Sequence, residues 1–478
     1  MSRQQFIDKG EGLATLVGFR QELHDCLFGW ADAQFELCDA MLCAPGPVAS
    51  VPGLSLDPVF RRSHGSLYKA LALGSIDTEW LRRTLAGYRP AKWPLVFAVD
   101  ASTWARCDAE TSPERGFHYS ASKHSAGQPI VAGWSFQWIS QLDWAPDSWT
   151  APLDAMRIKP SMDATTATID QVERVVAALP HDDEVPLFVF DAGYDPIALG
   201  AGLAETRAQV LVRISSKRVF HPDPTPRPGG AVGRPRRHGP RFALAEEPAG
   251  WPDPAAELTA NDPRYGHIRV QAWSGLHPKL HGRGRWAGAD EPPIVRGTVI
   301  RVEVERLPKP TARTNKTLWL WWSGVGEPDL DVCWRAYLRR FDIEHTYRFV
   351  KGTLGWVTPA LRTPEQAERW TWLVIAAYTQ LRLARGLVDD IRLPWEKPRD
   401  AALLTPTRVR RGFVDCAPRS ALRPSHRNPT RPVPGDPKAQ DDRPEPAIQP
   451  SRRATHEAQG FNRKLRPRAT SRAAGPRL

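Results

Sequence analysis

Apolar residues at Leu13, Leu16, Phe19, Leu23, Cys26 and Leu27 recur every three or four positions. That is the spacing of one helix face. It predicts helix over residues 11–43, with Ala31–Leu42 continuing the pattern. Pro45, Pro47, Pro52 and Pro58 then mark an irregular stretch. Two more helices are predicted at His64–Leu73 and Asp77–Leu85, the second capped by Asp77 or Thr78. Together they give an all-helical N-terminal unit, residues 1–90.

The pattern changes at Lys92. Trp93–Asp100 (WPLVFAVD) and Val185–Asp191 (VPLFVFD) are continuous apolar runs that end in a carboxylate, as strands buried on both faces do. Pro129–Leu142, Ser148–Ile158 and Val210–Ser215 read as further strands, and Asp163–Leu179 and Ile197–Ala208 as helices. The order over residues 91–216 is three strands, helix, strand, helix, strand, an α/β unit with a mixed sheet. Residues 217–328 break that order. His267–Trp273, Val295–Arg306 and Lys316–Trp322 alternate, most clearly in TVIRVEVER (Thr298–Arg306), and predict a β-rich insertion. Helical spacing returns at Asp331–Val350 and Glu365–Leu387, so residues 329–402 form a second part of the core.

Charge adds to this picture. The chain has 65 Lys+Arg against 53 Asp+Glu, a net +12. Residues 403–478 hold 17 of the cations and 6 of the acids, which is nearly all of the surplus. They also hold 12 prolines and few large apolar side chains. Such a segment cannot bury enough surface to offset chain entropy, and a disordered basic tail is predicted. A second basic stretch, Lys217–Arg241, has seven cations and one acid, Asp223. It contains GRPRRHG, with Arg234, Arg236 and Arg237. Either run alone suits a solvated loop. Two in one chain point to a polyanion, and arginines among Gly and Pro suit a segment lying in a DNA groove.

Other classes are set aside on sequence grounds. No run approaches the roughly 18 apolar residues of a membrane span. The opening MSRQQFIDKGEG is too polar for a secretory signal, so a cytoplasmic location without a membrane partner is expected. Six cysteines with no CxxC pair favour reduced thiols over disulfides or structural zinc. There is no GxxxxGK[ST] loop for ATP and no GxSxG elbow. Cys107 and His118 lack an oriented third group for a thiol nucleophile.

The remaining chemistry lies in carboxylates. Asp100 and Asp191 end buried strands, where sites form in α/β sheets, although an Asp there also serves to cap a turn or helix. Tyr337, Arg340, Glu344 and Lys351 lie on the helix expected from Asp331 to Val350 and just past it. At about 100° per residue they share a stripe about 60° wide. Pairing of Glu344 with Arg340 and Arg348 one turn away would account for the acid alone. It leaves Tyr337 and Lys351 unexplained.

The spacing Tyr-x2-Arg-x3-Glu-x6-Lys resembles the YREK signature of cut-and-paste DDE transposases from bacterial insertion sequences. DAGYD (Asp191–Asp195) resembles the box with that family's second Asp, and VFAVDAST (Val96–Thr103) the box with its first. The resemblance covers residues 90–390. It implies an RNase H-like core interrupted by the β-rich insertion, a helical domain that binds DNA ends, and a homodimer at work on paired inverted-repeat ends. It implies that Asp100, Asp191 and Glu344 are catalytic and hold two Mg2+ ions, with Mn2+ as a substitute, Asp100 bridging both. Three hard oxygen donors suit Mg2+, and two such ions suit cleavage of phosphodiesters and strand transfer to target DNA. Tyr337, Arg340 and Lys351 would hold phosphates. The reaction is DNA transposition, a DNA recombination. The alternative is a non-catalytic DNA-binding protein derived from a transposase.

One further expectation concerns Leu318–Trp322, LWLWW. Strand alternation puts Trp319 and Trp321 on one face and Trp322 on the other. Core packing is the plain account. The resemblance adds another, in which one tryptophan stacks on a base drawn from the duplex.

Overall fold

The computed structural model describes residues 3–119, 130–181, 184–226, 233–246, 250–282, 284–288, 291–308 and 316–417. These all fall within one compact unit. The chain opens with α1 (Arg3–Asp25), β1 (Leu27–Phe28), α2 (Ala31–Cys43), α3 (Val51–Leu54), α4 (His64–Leu73), β2 (Ser75–Ile76) and α5 (Thr78–Gly87). There follow β3 (Val96–Ala105), β4 (Gly116–Tyr119), β5 (Ile130–Gln141), β6 (Ala151–Ile158), α6 (Ala164–Ala178), β7 (Leu187–Phe190), α7 (Pro196–Gly202) and β8 (Gln209–Ile214). The next segment supplies β9 (Val219–Phe220), β10 (Phe242–Ala243), β11 (Ala256–Asp262), β12 (Gly266–Leu276), β13 (Gly297–Val304) and β14 (Thr317–Ser323). Then come α8 (Leu330–Arg339), α9 (Asp342–Gly352), α10 (Pro364–Ala384) and α11 (Pro406–Cys416).

One mixed sheet organises the molecule. Its strand order is β11-β12-β13-β14-β8-β7-β3-β5-β4, with β6 also paired to β5. β3, β7 and β8 run parallel, as their unbroken apolar runs require; the other pairings are antiparallel. The β-rich segment after β8 does not make a separate layer. β14 lies antiparallel on β8, Trp321 opposite Val212, and the segment widens the same sheet.

That placement decides between the two accounts of LWLWW. β14 is an interior strand, with both edges paired, to β13 and to β8. Trp319, Trp321 and Trp322 are all buried. Trp321 stacks on Phe220 at 5.2 Å, and Trp319 meets Trp251 and Trp273. These rings are core, and the expectation of a base-stacking tryptophan here is overturned.

The N-terminal helices share a core with the sheet rather than standing apart as a separate unit. The hub is α10, which is buried on every side from Trp370 to Leu381. It packs on α1, α2, α4, α5, α11 and β6. Buried polar groups tie the same elements together. Arg20 of α1 donates to Asp39 Oδ1 of α2 at 2.6 Å and to Gln380 Oε1 of α10 at 2.5 Å. Arg82 of α5 donates to Asp154 of β6 at 2.9 Å. The long helix expected over residues 11–43 is two helices, split where Gly29 and Trp30 take left-handed φ of 52° and 59°.

The packed chain also runs past residue 403. Val409, Phe413 and Cys416 of α11 are buried, and Arg410 donates to Met41 O at 2.9 Å. The tail expected from residue 403 therefore starts with a helix docked on α2 and α10; residues 418–478 lie outside the described residues. Arginine-rich α11 escaped notice because Arg408 and Arg410 are buried with their charges hydrogen-bonded to Asp390 and to Met41 O, which a run of cations in the sequence does not suggest. Phe413→Ala should lower stability by about 3 kcal/mol, the cost of emptying a buried aromatic site. Urea denaturation followed by tryptophan fluorescence tests this, and an unchanged midpoint would mean that α11 is not part of the core.

Candidate active site

Asp100 lies within β3 and Asp191 directly follows β7; the two strands are parallel neighbours, with Val99 opposite Phe190. The two carboxylates thus emerge side by side. Asp195, not Asp191, caps α7, accepting from Ile197 N at 3.0 Å and Ala198 N at 3.2 Å. The capping role that competes for an Asp at a strand end is therefore already filled.

The third acid comes from α9, whose start is set by a break. The expected continuous helix from Asp331 to Val350 is interrupted at Arg340–Phe341. Ile343 N bonds to Arg340 O and Glu344 N to Phe341 O, three-residue contacts that tighten the turn. Buried Asp342 pairs with Arg339 at 2.8 Å across this turn. Tyr337 and Arg340 thus belong to the end of α8, while Glu344 and Lys351 belong to α9, and the single helical stripe is not what unites them. Contact with the sheet is.

Arg340 is the centre of the cluster. Its Nη2 lies 3.4 Å from Asp191 Oδ2 and its Nη1 3.9 Å from Asp100 Oδ1. It is mostly buried, and its Nε and Nη1 have no hydrogen-bond acceptor among the described residues. It therefore turns to the strand-end acids rather than pairing along the helix with Glu344. Glu344 is half-buried and within hydrogen-bonding reach of Asp100. Burial pushes the Asp100 carboxyl up to about 7; Arg340 opposes the rise, and the Glu344 and Asp191 carboxylates add to it. Tyr337 is buried beneath Arg340, its ring 5.9 Å from the guanidinium carbon. Lys351 donates to Ser102 Oγ at 2.7 Å; burial lowers its pKa, opposed by Glu344 and Asp100.

Several neighbours were not anticipated. Tyr347 donates its hydroxyl to Asp100 O at 2.8 Å, and burial holds that hydroxyl protonated. Tyr194 donates to Gln137 Oε1 at 2.9 Å, with burial and then Asp100 raising its pKa. The signals were available: Tyr347 is one turn beyond Glu344, Ser102 shares a strand face with Asp100, and Tyr194 lies inside DAGYD. The basic loop stands apart from this cluster. Arg234 pairs with Glu291, Arg237 donates to Pro292 O at 2.7 Å, and Arg236 is exposed.

The donor set is chemically suited to a hard divalent cation: three carboxylates, one of them raised by burial and by its neighbours' charge. In the arrangement present, Arg340 supplies the positive charge. Among the described residues, no three His, Cys, Asp or Glu side chains are gathered as ready-made metal ligands.

A family model described as "DDE superfamily endonuclease" matches residues 22–279, just over half of the chain. The match includes Asp100 and Asp191 but ends before Glu344. No curated protein matches. A solved structure similar to this one is the cryo-EM structure of a piggyBac transposase synaptic complex with hairpin DNA. It has a TM-score of 0.37 at 10% identity, over 81% of this chain and 70% of that one. The likeness is loose.

The raised Asp100 gives a pH signature. Its folded carboxyl keeps a proton up to about 7, whereas an unfolded one loses it near 4. Between those values the folded state binds more protons, so stability falls as pH rises, and the penalty is fully present above the folded value. In metal-free protein at about pH 8, Asp100→Asn should therefore raise Tm by a few degrees. The gain should shrink steadily as pH falls towards 4. A gain of constant size in thermal melts across that range would contradict this account of Asp100.

Proposed function

Because the chain belongs to the DDE superfamily endonucleases, we propose that it is a DNA transposase that cleaves the ends of an insertion sequence and joins them to target DNA. The observation that carries this reading is that Arg340 faces Asp100 and Asp191 at once, with Glu344 within reach of Asp100, all from segments far apart in sequence. The strand order β6-β5-β3-β7-β8, with β3, β7 and β8 parallel, supports an RNase H-like core interrupted between β8 and α8.

Asp100, Asp191 and Glu344 would hold two divalent cations, Mg2+ or Mn2+. The cations would activate the attacking oxygen and stabilise the leaving one. The chain's own groups do the rest. Tyr347 fixes the β3 backbone at Asp100 through its hydrogen bond to the carbonyl. Arg340 balances the buried acids and presents two unused N–H directions to a backbone phosphate. Tyr337 backs the guanidinium from below. Lys351, anchored on Ser102, offers a second phosphate contact beside the acids. Arg234, Arg236 and Arg237 of the basic loop would add contacts farther along the duplex. A homodimer on two paired ends, acting in the cytoplasm at the nucleoid, completes the proposal.

The test uses the full chain and the DNA that flanks its gene. With Mg2+, wild type should release 3′-hydroxyl ends. Asp100→Asn, Asp191→Asn and Glu344→Gln should each slow this at least about 1,000-fold, since interactions made mainly in the transition state are lost. Binding in EDTA should persist for all three. Variants that cut at the wild-type rate would remove these residues from the chemistry.

Lys351→Ala should weaken end binding and lower the slope of log affinity against log salt by about one, as for one lost phosphate contact. Equilibrium titrations at several salt concentrations read that slope. An unchanged slope would confine Lys351 to holding Ser102.

A further inference from the structure

The segment between β8 and α8 widens the sheet, yet one of its turns comes back towards the acid cluster. The chain passes from β11 to β12 through Pro263, Arg264 and Tyr265. Asp262 Oδ1 shapes this turn by accepting from Arg264 N at 2.7 Å and Tyr265 N at 3.0 Å. Gly266 closes it at a φ of 75°, where a side chain would be strained. Arg306 braces it by donating to Pro263 O at 2.7 Å. Tyr265 packs on the main core, and α8 packs on both β11 and β12. The turn therefore lies beside the break between α8 and α9. Burial raises the Asp342 carboxyl there to about 6, and the charges of Arg339 and then Arg264 oppose the rise.

α9 presents an outward face at the same place. With Phe341 as zero and about 100° per residue, Arg348, Glu344 and His345 fall at about 340°, 300° and 40°. These four positions are exposed or half-buried, whereas the rest of the helix from Asp342 to Val350 is buried. Phe341 stands edge-on to His345 at 5.6 Å. Burial lowers the His345 pKa, the charges of Arg348 and Arg264 add to that, and Glu344 opposes it. Arg264 and Arg348 thus reach one ring from two different parts of the chain. Both are exposed, and neither pairs with a carboxylate among the described residues. Surrounding acids other than Glu344 are engaged. Asp262 holds the turn, Glu305 accepts from His267 N at 2.8 Å and Asp342 pairs with Arg339. Asp147 pairs with Arg385, and Asp143 accepts from Trp144 N.

We propose that Arg264 and Arg348 together hold the phosphate backbone of a DNA strand on the outer side of Glu344, so that the segment between β8 and α8 takes part in gripping the DNA at the cut. This rests on the transposase reading. The occupant is a DNA strand because the two uncommitted guanidinium groups flank the one acid that the cut strand must reach in that reading, and a guanidinium matches phosphate in charge and shape. Glu344 and Arg348 are one turn apart, about 6 Å between Cβ atoms. At about 3.4 Å of rise per nucleotide, a phosphate on Arg348 lies within about two nucleotides of one at Glu344.

The test is fluorescence anisotropy in EDTA with the full chain and a duplex carrying the end that flanks its gene, over a range of salt. Arg264→Ala and Arg348→Ala should each lower the slope of log affinity against log salt by about one, and the double variant by about two. Replacing both by lysine should keep the wild-type slope, since the charge is retained. Thermal melts should match wild type, because both side chains are exposed. A single methylphosphonate, which removes one phosphate charge, is then moved along the strand. It should weaken wild type at phosphates next to the cut and cost the double alanine variant nothing there. A double variant with the wild-type slope would overturn the grip while leaving the transposase reading intact. So would a methylphosphonate penalty that persists at full size in that variant. Should Asp100→Asn cut at the wild-type rate while the arginine variants behave as expected, the transposase chemistry would fall and the grip would stand. Wild type that binds no duplex would take down both.

Discussion

The antiparallel pairing of β14 on β8 is the contact on which the site depends. After β8 the chain leaves the core for about a hundred residues, and closing so long a loop carries an entropic cost. The closure is held by Trp319, Trp321 and Trp322 opposite Ile214, Val212 and Leu211. Each ring removes a large apolar area from water, among the largest single contributions a side chain can make. Once β14 is fixed, α8 and α9 must begin where they do, and Arg340 and Glu344 arrive at the ends of β3 and β7. The tryptophans that suggested a DNA contact therefore act one step earlier, by bringing the third acid to the other two.

What arrives there is electrostatically unfavourable without a cation. Asp100, Asp191 and Glu344 share a partly buried space, and Asp100 keeps its proton well above the usual carboxylate range. Arg340 limits the strain by facing Asp100 and Asp191 at once. A lysine could not do this equally well. Its compact ammonium is more strongly hydrated and more costly to bury, while a planar guanidinium reaches two acceptors and lies over the Tyr337 ring. Two of its buried N–H groups, at Nε and Nη1, have no acceptor among the described residues.

Much of this was legible in the sequence, for reasons that differ between elements. β3 and β7 announce themselves because a strand buried on both faces must be apolar throughout, and the Asp that ends each run stands out. The candidate residues on α8 and α9 were singled out by spacing, but the single helical stripe inferred for them is not what the structure shows. No Gly or Pro marks the break at Arg340–Phe341, and the tightening comes from the Arg339–Asp342 pair and the sheet beneath. β11 was missed because its alternation, AELTAND, is weak and exposed, as befits an edge strand. Docking of the N-terminal helices on α10 and on the sheet depends on buried contacts such as Arg20–Gln380 and Arg82–Asp154, which are distant in sequence and have no local pattern.

The face of the sheet beneath Asp100 has its own logic. Trp138, opposite Asp100, packs against Trp356 at 4.9 Å and Tyr347 at 5.6 Å, and Trp104 meets Trp134 and Trp356. This aromatic floor excludes water from one side of Asp100, which is why burial leads the causes of its raised pKa. It also fixes α9 against β3, with Lys351 over the Trp356 ring at 5.6 Å. Asp100 and Tyr347 are thus held by close packing, whereas Arg340 is held by the Tyr337 ring and by long ionic contacts at 3.4 and 3.9 Å. When cations or phosphates enter such a site, the group free to readjust is the one whose contacts are ionic and long. The floor holds Asp100 in place, and Arg340 is the group whose contacts to the acids are longest.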